Sequence, residues 1–439
     1  MAPSVLASLL YMLPLVAAMP ASRMSKRLVS ILSNADAQDI IPNKFIAVYN
    51  NSFSDAEIEA CQQAFTLKIK KRNLHKRSED GDPLATDVSI YKMDGWRAMA
   101  FDGDEDMVAE MNDADEVNYI EADHWLTASD LDEVTRGNNS DIIAQPKAPS
   151  SLKRLSHAEG DKGAFLFDAA AGSQTTVYIV DTGIRTTHEQ FEDRAIMGAS
   201  FVRGSNTDDN GHGSHVAGTV GGRDVGVAKN AQLVGVKVLN AKGAGANSAI
   251  LSGLQWVLQD AQKRSSTGGN GSRKRATNEK FVMNMSLGGS FSQALNSAMT
   301  KLSSAGVIPV VAAGNEHQPA SNVSPASADG VICVGAMDDT TDKVAKFSNF
   351  GPEVDVFAPG VNILSVDARS DTALKKLNGT SMASPATAGV VATIMQSQDL
   401  STVEDVRAQL KKNAQKTGAE VKAAPRGTTT DILNNGITA

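Results

Sequence analysis

Cysteine is nearly absent from this chain: Cys61 and Cys333 are the only two in 439 residues. That excludes a disulfide-stapled scaffold. If the two belong to parts that are processed apart, the mature protein carries no bridge, which a large domain with a sufficient core tolerates even outside the cell. A basic excess is also missing. The formal net charge is −8, and the residues through Thr127 hold 12 Lys+Arg against 20 Asp+Glu, leaving 30 of each in the remainder. A balanced body behind an acidic N-terminal part has no basic footprint for phosphate, so nucleic acid is not an expected partner. Beyond the first 18 residues no apolar run is long enough to span a bilayer, so no membrane association is expected. There are no internal repeats. What is abundant is core-forming sequence: 41% hydrophobic residues in a chain long enough for two domains.

The run "SVLASLLYMLPLVAA" followed by small residues reads as a secretory signal peptide over 1–18, although its n-region lacks positive charge. Secretion is the expected destination, with the vacuole as the alternative. Residues 40–127 then alternate strand-like and helix-like stretches. "NKFIAVYN" is a strand, and "SDAEIEACQQAF" starts a helix with Ser54 and Glu57 in capping-box spacing. "VSIYKM", "WRAMAF", "EDMVAEMND" and "EVNYIEAD" complete a β-α-β-β-α-β order, the ferredoxin-like pattern of a small α+β domain. Residues 128–149 are polar and read as a linker.

From 150 to 439 apolar strands alternate with helical periodicity. "TTVYIVD", "QLVGVKVL", "KFVMNMS" and "VIPVVAA" are strands buried on both faces, which implies an α/β domain with a mostly parallel sheet. The Gly/Ser-rich basic stretch 263–280 reads as an exposed insertion. Ligand sites in such sheets form beyond the carboxyl ends of the strands, so the polar residues closing each strand are candidates. Asp181 closes the first strand; a turn-forming Asp before glycine is the plain alternative. His212 lies among glycines at a helix start. His212 and His215 are three apart, a spacing compatible with zinc, but no third ligand follows. Asn315 ends "VVAAGN" with a neutral amide donor suited to a developing oxyanion. "MSLGG" leaves a free edge on which an extended peptide can pair. Ser381 stands in "NGTSMASP" at a helix N-terminus, where backbone N–H groups and the helix dipole favour negative charge. Close packing of small residues is the competing explanation for that motif.

These motifs, "VDTGI", "GHGSHVAGTV", "VKVLNAKGAGA", "MSLGG", "AAGN" and "GTSMASP", in the chain order Asp, His, Ser, resemble the subtilisin-like serine proteases, most closely the fungal proteinase K-like branch. The resemblance implies a three-layer subtilisin-like domain preceded by an inhibitory propeptide, and a monomeric endopeptidase of broad specificity made as a self-processed zymogen. It assigns Ser381 as nucleophile, His212 as base, Asp181 as its orienting partner and Asn315 as oxyanion donor. Gly243, Ala244 and Gly245 on one side and Ser286, Leu287, Gly288 and Gly289 on the other would flank bound peptide. Ala312, Ala313 and Gly314 would wall a pocket for an apolar or aromatic P1 residue. No cofactor is implied for catalysis. A structural calcium is, held by Asp355 and the carbonyls of Gly330 and Ile332. The propeptide end would occupy the cleft and be cut between about Leu126 and Arg136. There are also departures from the family pattern. Ala386-Thr387 replaces a frequent His-Val pair. Val216 stands where a cysteine often follows the second histidine. Cys333 matches a disulfide cysteine, yet the partner segment "VEDVRAQL" has none. A catalytically silent binding protein on the same fold is the second reading; a lipase-like hydrolase is disfavoured because no G-x-S-x-G elbow surrounds Ser381.

Overall fold

The computed structural model describes residues 24–37, 39–78, 81–128, 144–159, 163–266 and 279–437. The signal-peptide segment 1–18 lies outside the described residues. So do most of the linker with its processing window beyond Ala128, and most of the 263–280 insertion.

The capping box forms as spelled. Glu57 N–H donates to Ser54 Oγ at 3.4 Å, and Ser54 N–H donates to the Glu57 carboxylate at 2.7 Å, fixing the start of the helix Asp55–Asn73. This helix and Glu105–Asn112 alternate with four strands: β1 (Ile40–Tyr49), β2 (Ser89–Met93), β3 (Trp96–Asp102) and β4 (Val117–Ala128). They pair antiparallel in the order β4-β1-β3-β2.

Alternation along β1 gives this sheet two apolar faces. Phe45, Ala47 and Tyr49 enter a core with Ile58, Phe65 and Ile69 of the long helix. Ile46 and Val48, with Tyr91, Met93 and Trp96, join a second cluster. That cluster continues into Leu251, Leu254 and Leu258 of the helix Asn247–Ser266 and into Leu295 and Met299 of Gln293–Ser304. Burying a side chain of this size contributes about 1.5–3 kcal/mol, so the small unit is seated on the large one by its sheet face.

The large unit is built on an eight-stranded sheet. Its order is Lys343–Val344, Ile332–Asp338, Val307–Ala312, Lys280–Met285, Thr175–Asp181, Gln232–Lys237, Ala195–Ser200, with Val356–Pro359 also on Ile332–Asp338. Every pairing is parallel except that of Lys343–Val344, which is antiparallel. Side chains alternate between the two faces. Val177, Ile179, Val282 and Val310 share a core with Val216 and Val220 of the helix His212–Gly221 and with Val390 and Val391 of Thr380–Ser397. Tyr178, Val180, Met283 and Val311 face the cluster of the other two helices. Helices on both faces make the three layers.

The last strand of the small unit, read as 116–123, runs on without a break to Ala128, through the segment expected to lie extended against 243–245 and 286–289. Its additional residues pair antiparallel with two edges of the large unit, Ala244–Ala246 and Leu287–Ser290. These short edges of the large unit thereby become strands of the small unit's sheet, apart from the eight-stranded one, because the added backbone N–H and C=O groups find partners there instead of water.

Candidate active site

The parallel strands deliver Asp181, Met285 and Ala312 at their carboxyl ends, and the helix starts deliver His212 and Ser381. Asp181 is fully buried. Its Oδ1 accepts the Thr182 N–H at 2.7 Å and lies 2.7 Å from His212 Nδ1, itself fully buried. A carboxylate only accepts, so Nδ1 carries the proton and Nε2 is left as the basic nitrogen.

The helix that carries His212 has no side-chain cap of its own at Gly211. One local and one distant side chain replace it. Asp208 Oδ2 accepts the Ser214 N–H at 2.8 Å and Oδ1 accepts that of Gly211 at 2.7 Å, while Thr182 Oγ1 accepts the Gly213 N–H at 2.8 Å and donates to Asp208 at 2.8 Å. Orphan donors of the first turn are thus satisfied by residues flanking the acid and the base. Gly213 is required here: a Cβ would fall 2.2 Å from the Gly183 carbonyl oxygen. Sequence reasoning missed Thr182 and Asp208; their nearness to Asp181 and His212 in the chain was the available signal.

Ser381 is the second residue of the helix Thr380–Ser397, after Gly379. Its position leaves its N–H among the first-turn donors that lack an intrahelical acceptor. Pro385, four residues on, has no N–H to offer the Ser381 carbonyl. That carbonyl accepts Ser286 Oγ–H instead, at 2.8 Å, and Ser381 Oγ donates to the Ser286 carbonyl at 3.1 Å. Ser286 thus pins the nucleophile candidate to the strand end, besides lying beside the peptide edge expected from the sequence.

Asn315 follows Ala312, Ala313 and Gly314, with the glycine at φ 103°. Thr380 N–H and Oγ1–H both donate to Asn315 Oδ1, at 2.9 and 2.8 Å, which fixes the amide orientation. The Nδ2 is buried without a hydrogen-bond partner. An unpaired buried donor costs about 1–3 kcal/mol, and it is available to an incoming oxygen. Thr380 is a further residue the sequence reading did not name.

The two edges expected to flank peptide are both paired with β4. Thr127 pairs with Ala244 on one side and Gly288 on the other, Leu126 with Gly245, and Ala128 with Leu287, while the Ala128 N–H donates to the Gly243 carbonyl at 2.9 Å. A Cβ on Gly289 would stand 3.0 Å from Leu126 Cγ and 3.2 Å from the Trp125 carbonyl oxygen, so the bare backbone is what lets this strand approach.

His215 points elsewhere: its Nε2 lies 3.0 Å from the Ile363 carbonyl oxygen, while His212 addresses Asp181, so the two rings do not share a centre. Among the described residues no group of three His, Cys, Asp or Glu is arranged to hold a metal. Burial, with Lys375 and His212 nearby, pushes the His215 pKa down to about 3. The unfolded chain, with its histidine near 6.5, takes the proton first as pH falls. The contribution of His215 to stability is therefore complete above that value and is lost progressively below it, by about 1.4 kcal/mol per pH unit. His215→Gln, which keeps a donor for Ile363, is expected to flatten the fall in urea midpoint between pH 7 and pH 4. An unchanged slope would show that His215 is not the group responsible.

Comparison with known proteins gives the family. The sequence model of the subtilase family matches residues 172–430. "Subtilisin-like protease 2" of Pseudogymnoascus destructans is 38% identical over 400 residues, covering 91% of this chain and 90% of its own length. "Subtilisin-like protease 6" of Trichophyton tonsurans is 40% identical over 367 residues, 83% and 85% of the two chains. The crystal structure of a cold-adapted subtilisin-like serine proteinase superposes with a TM-score of 0.57 at 37% identity, over 66% of this chain and 98% of that one. A buried Asp–His pair, a serine at a helix start and a match over most of the chain lead to one conclusion: the protein belongs to the subtilase family and is a subtilisin-like serine endopeptidase.

Proposed function

We propose that the chain is a secreted zymogen that cuts itself and then hydrolyses polypeptides of broad sequence as a monomer, preferring an apolar or aromatic P1 residue. In this reading Ser381 Oγ attacks the peptide carbonyl and its proton passes to His212 Nε2. Asp181 holds Nδ1–H and stabilises the imidazolium. The oxyanion takes hydrogen bonds from Asn315 Nδ2 and the Ser381 N–H. His212 then protonates the leaving amine, and water releases the acyl group by the same steps in reverse. The small uncharged side chains of 312–314 are what favour an apolar P1 residue.

The observation that carries the zymogen reading is β4, lying between both peptide edges as a substrate strand would. A tethered segment has a high effective concentration at a cleft it can reach. Two carboxylates of the same strand support it. Glu121 accepts the N–H groups of Gln293 (2.8 Å) and Ala294 (3.2 Å) and the Ser292 hydroxyl (2.7 Å). Asp123 accepts the Ser248 N–H at 3.2 Å and its hydroxyl at 2.6 Å. Each thereby caps a helix of the large unit and meets the positive end of its dipole. A ferredoxin-like module that caps the enzyme's helices and fills its cleft suits an inhibitory propeptide. Among the described residues no helix is long and apolar enough to cross a membrane.

Ser381→Ala is expected to accumulate as an uncut precursor, while the parent chain yields a mature form beginning between about Leu126 and Arg136 by analogy with the family. Normal maturation of the serine variant in a protease-free system would assign the cut to another enzyme. In mature enzyme, Asn315→Ala is expected to lower kcat by about 10²–10³-fold with KM little changed, the range for loss of one oxyanion donor; an unaltered kcat removes Asn315 from the mechanism. In the Ser381→Ala precursor, Glu121→Ala with Asp123→Ala removes caps worth about 0.5–2 kcal/mol each. Amide exchange at Ser248, Gln293 and Ala294 is then expected to quicken, and unchanged protection would argue against capping by β4.

A further inference from the structure

Asp355 precedes the strand Val356–Pro359, and its carboxylate is largely shielded, with 13% of the side chain exposed. Its Oδ2 accepts the Cys333 N–H at 2.8 Å. Its Oδ1 lies 2.6 Å from Arg407 Nε, on the helix Val403–Thr417. The same guanidinium donates from Nη2 to the carbonyl oxygens of Val331, at 2.7 Å, and Asp329, at 3.4 Å. One carboxylate oxygen and two backbone carbonyls therefore converge on a single positive group. Hard oxygen donors of this kind are what calcium takes, and the segment is the one in which the family resemblance calls for calcium on Asp355. Those carbonyls alternate along the chain with the pair that the resemblance names, Gly330 and Ile332. Gly330 has a packing reason of its own: a Cβ would come 2.9 Å from Thr300 Cα and 2.5 Å from Ser303 Oγ.

The residues present do not fit an added divalent ion. A guanidinium in ion-pair contact with the ligating oxygen takes up its charge and its open side, and a second cation there would be repelled. Two departures from the family pattern meet at this one residue. Arg407 stands in "VEDVRAQL", the segment that lacks the cysteine to bridge Cys333, and Cys333 is a buried free thiol. The ion pair with Asp355 and the bonds to 329 and 331 tie the C-terminal helix to the sheet, which is the work of a cross-link.

We propose that Arg407 is a built-in replacement for the divalent cation at Asp355. The native site is closed to calcium, and removing the guanidinium opens it. The test uses the full chain with Ser381→Ala, so that proteolysis does not interfere, and reads the thermal midpoint in calcium chloride and in chelator. Arg407→Ser is expected to gain a calcium-dependent rise beyond that of the parent, roughly 5 °C or more with calcium a hundredfold above its Kd. Adding Asp355→Asn is expected to return the rise to the parent's. Arg407→Gln gives the same reading should the serine variant fail to fold. Three results would overturn the proposal: an equal rise in the parent and the Arg407 variants, a rise that persists after Asp355→Asn, or a rise in the parent that Asp355→Asn alone lowers.

Discussion

The contact between Asp181 and His212 is the constraint around which the large unit is arranged. Both side chains are fully buried and 2.7 Å apart. A buried carboxylate that loses this donor is left undersatisfied, at a cost of about 1–3 kcal/mol. The acid must therefore reach the base from a strand end, and the base must hold its place at a helix start. Thr182 and Asp208 satisfy the donors of that helix start, and Gly213 lets it lie against the turn after the strand. Chemistry and stability use the same bonds here.

A second coupling joins Ser381 to the edge that pairs with β4. The carbonyl freed by Pro385 and the hydroxyl of Ser381 both engage Ser286, whose strand continues into the edge that pairs with β4. Thr380 turns Asn315 so that its NH₂ stays open. The 287–290 edge, Ser381 and Asn315 are thus linked by short hydrogen bonds over a few residues. Such linkage holds reacting groups in place without reorganisation at the moment of reaction.

The small unit follows a different logic. Its sheet buries one face on its own helices and the other on the large unit, and its last strand continues between the two edges of the cleft. Much of the apolar surface that would stabilise it is shared, so its packing on the large unit and the pairing of β4 with the two edges go together.

The elements and the candidate site residues were legible in local sequence. Apolar runs, the Ser54–Glu57 capping box and the glycine-flanked Asp181, His212, Asn315 and Ser381 are local signals, because helix caps, strand burial and turn glycines act over a few residues. The reach of β4 was legible as far as the segment and its destination. Its register was not, since pairing with 244–246 and 287–290 joins residues more than a hundred positions apart. The roles of Thr182, Asp208 and Thr380 likewise depended on which strand end met which helix start. The sharpest case is Asp355. One carboxylate in a familiar motif suggests a metal, but whether it needs one depends on the charge that folding brings beside it. Only the tertiary structure places Arg407, 52 residues on in the sequence, against that oxygen.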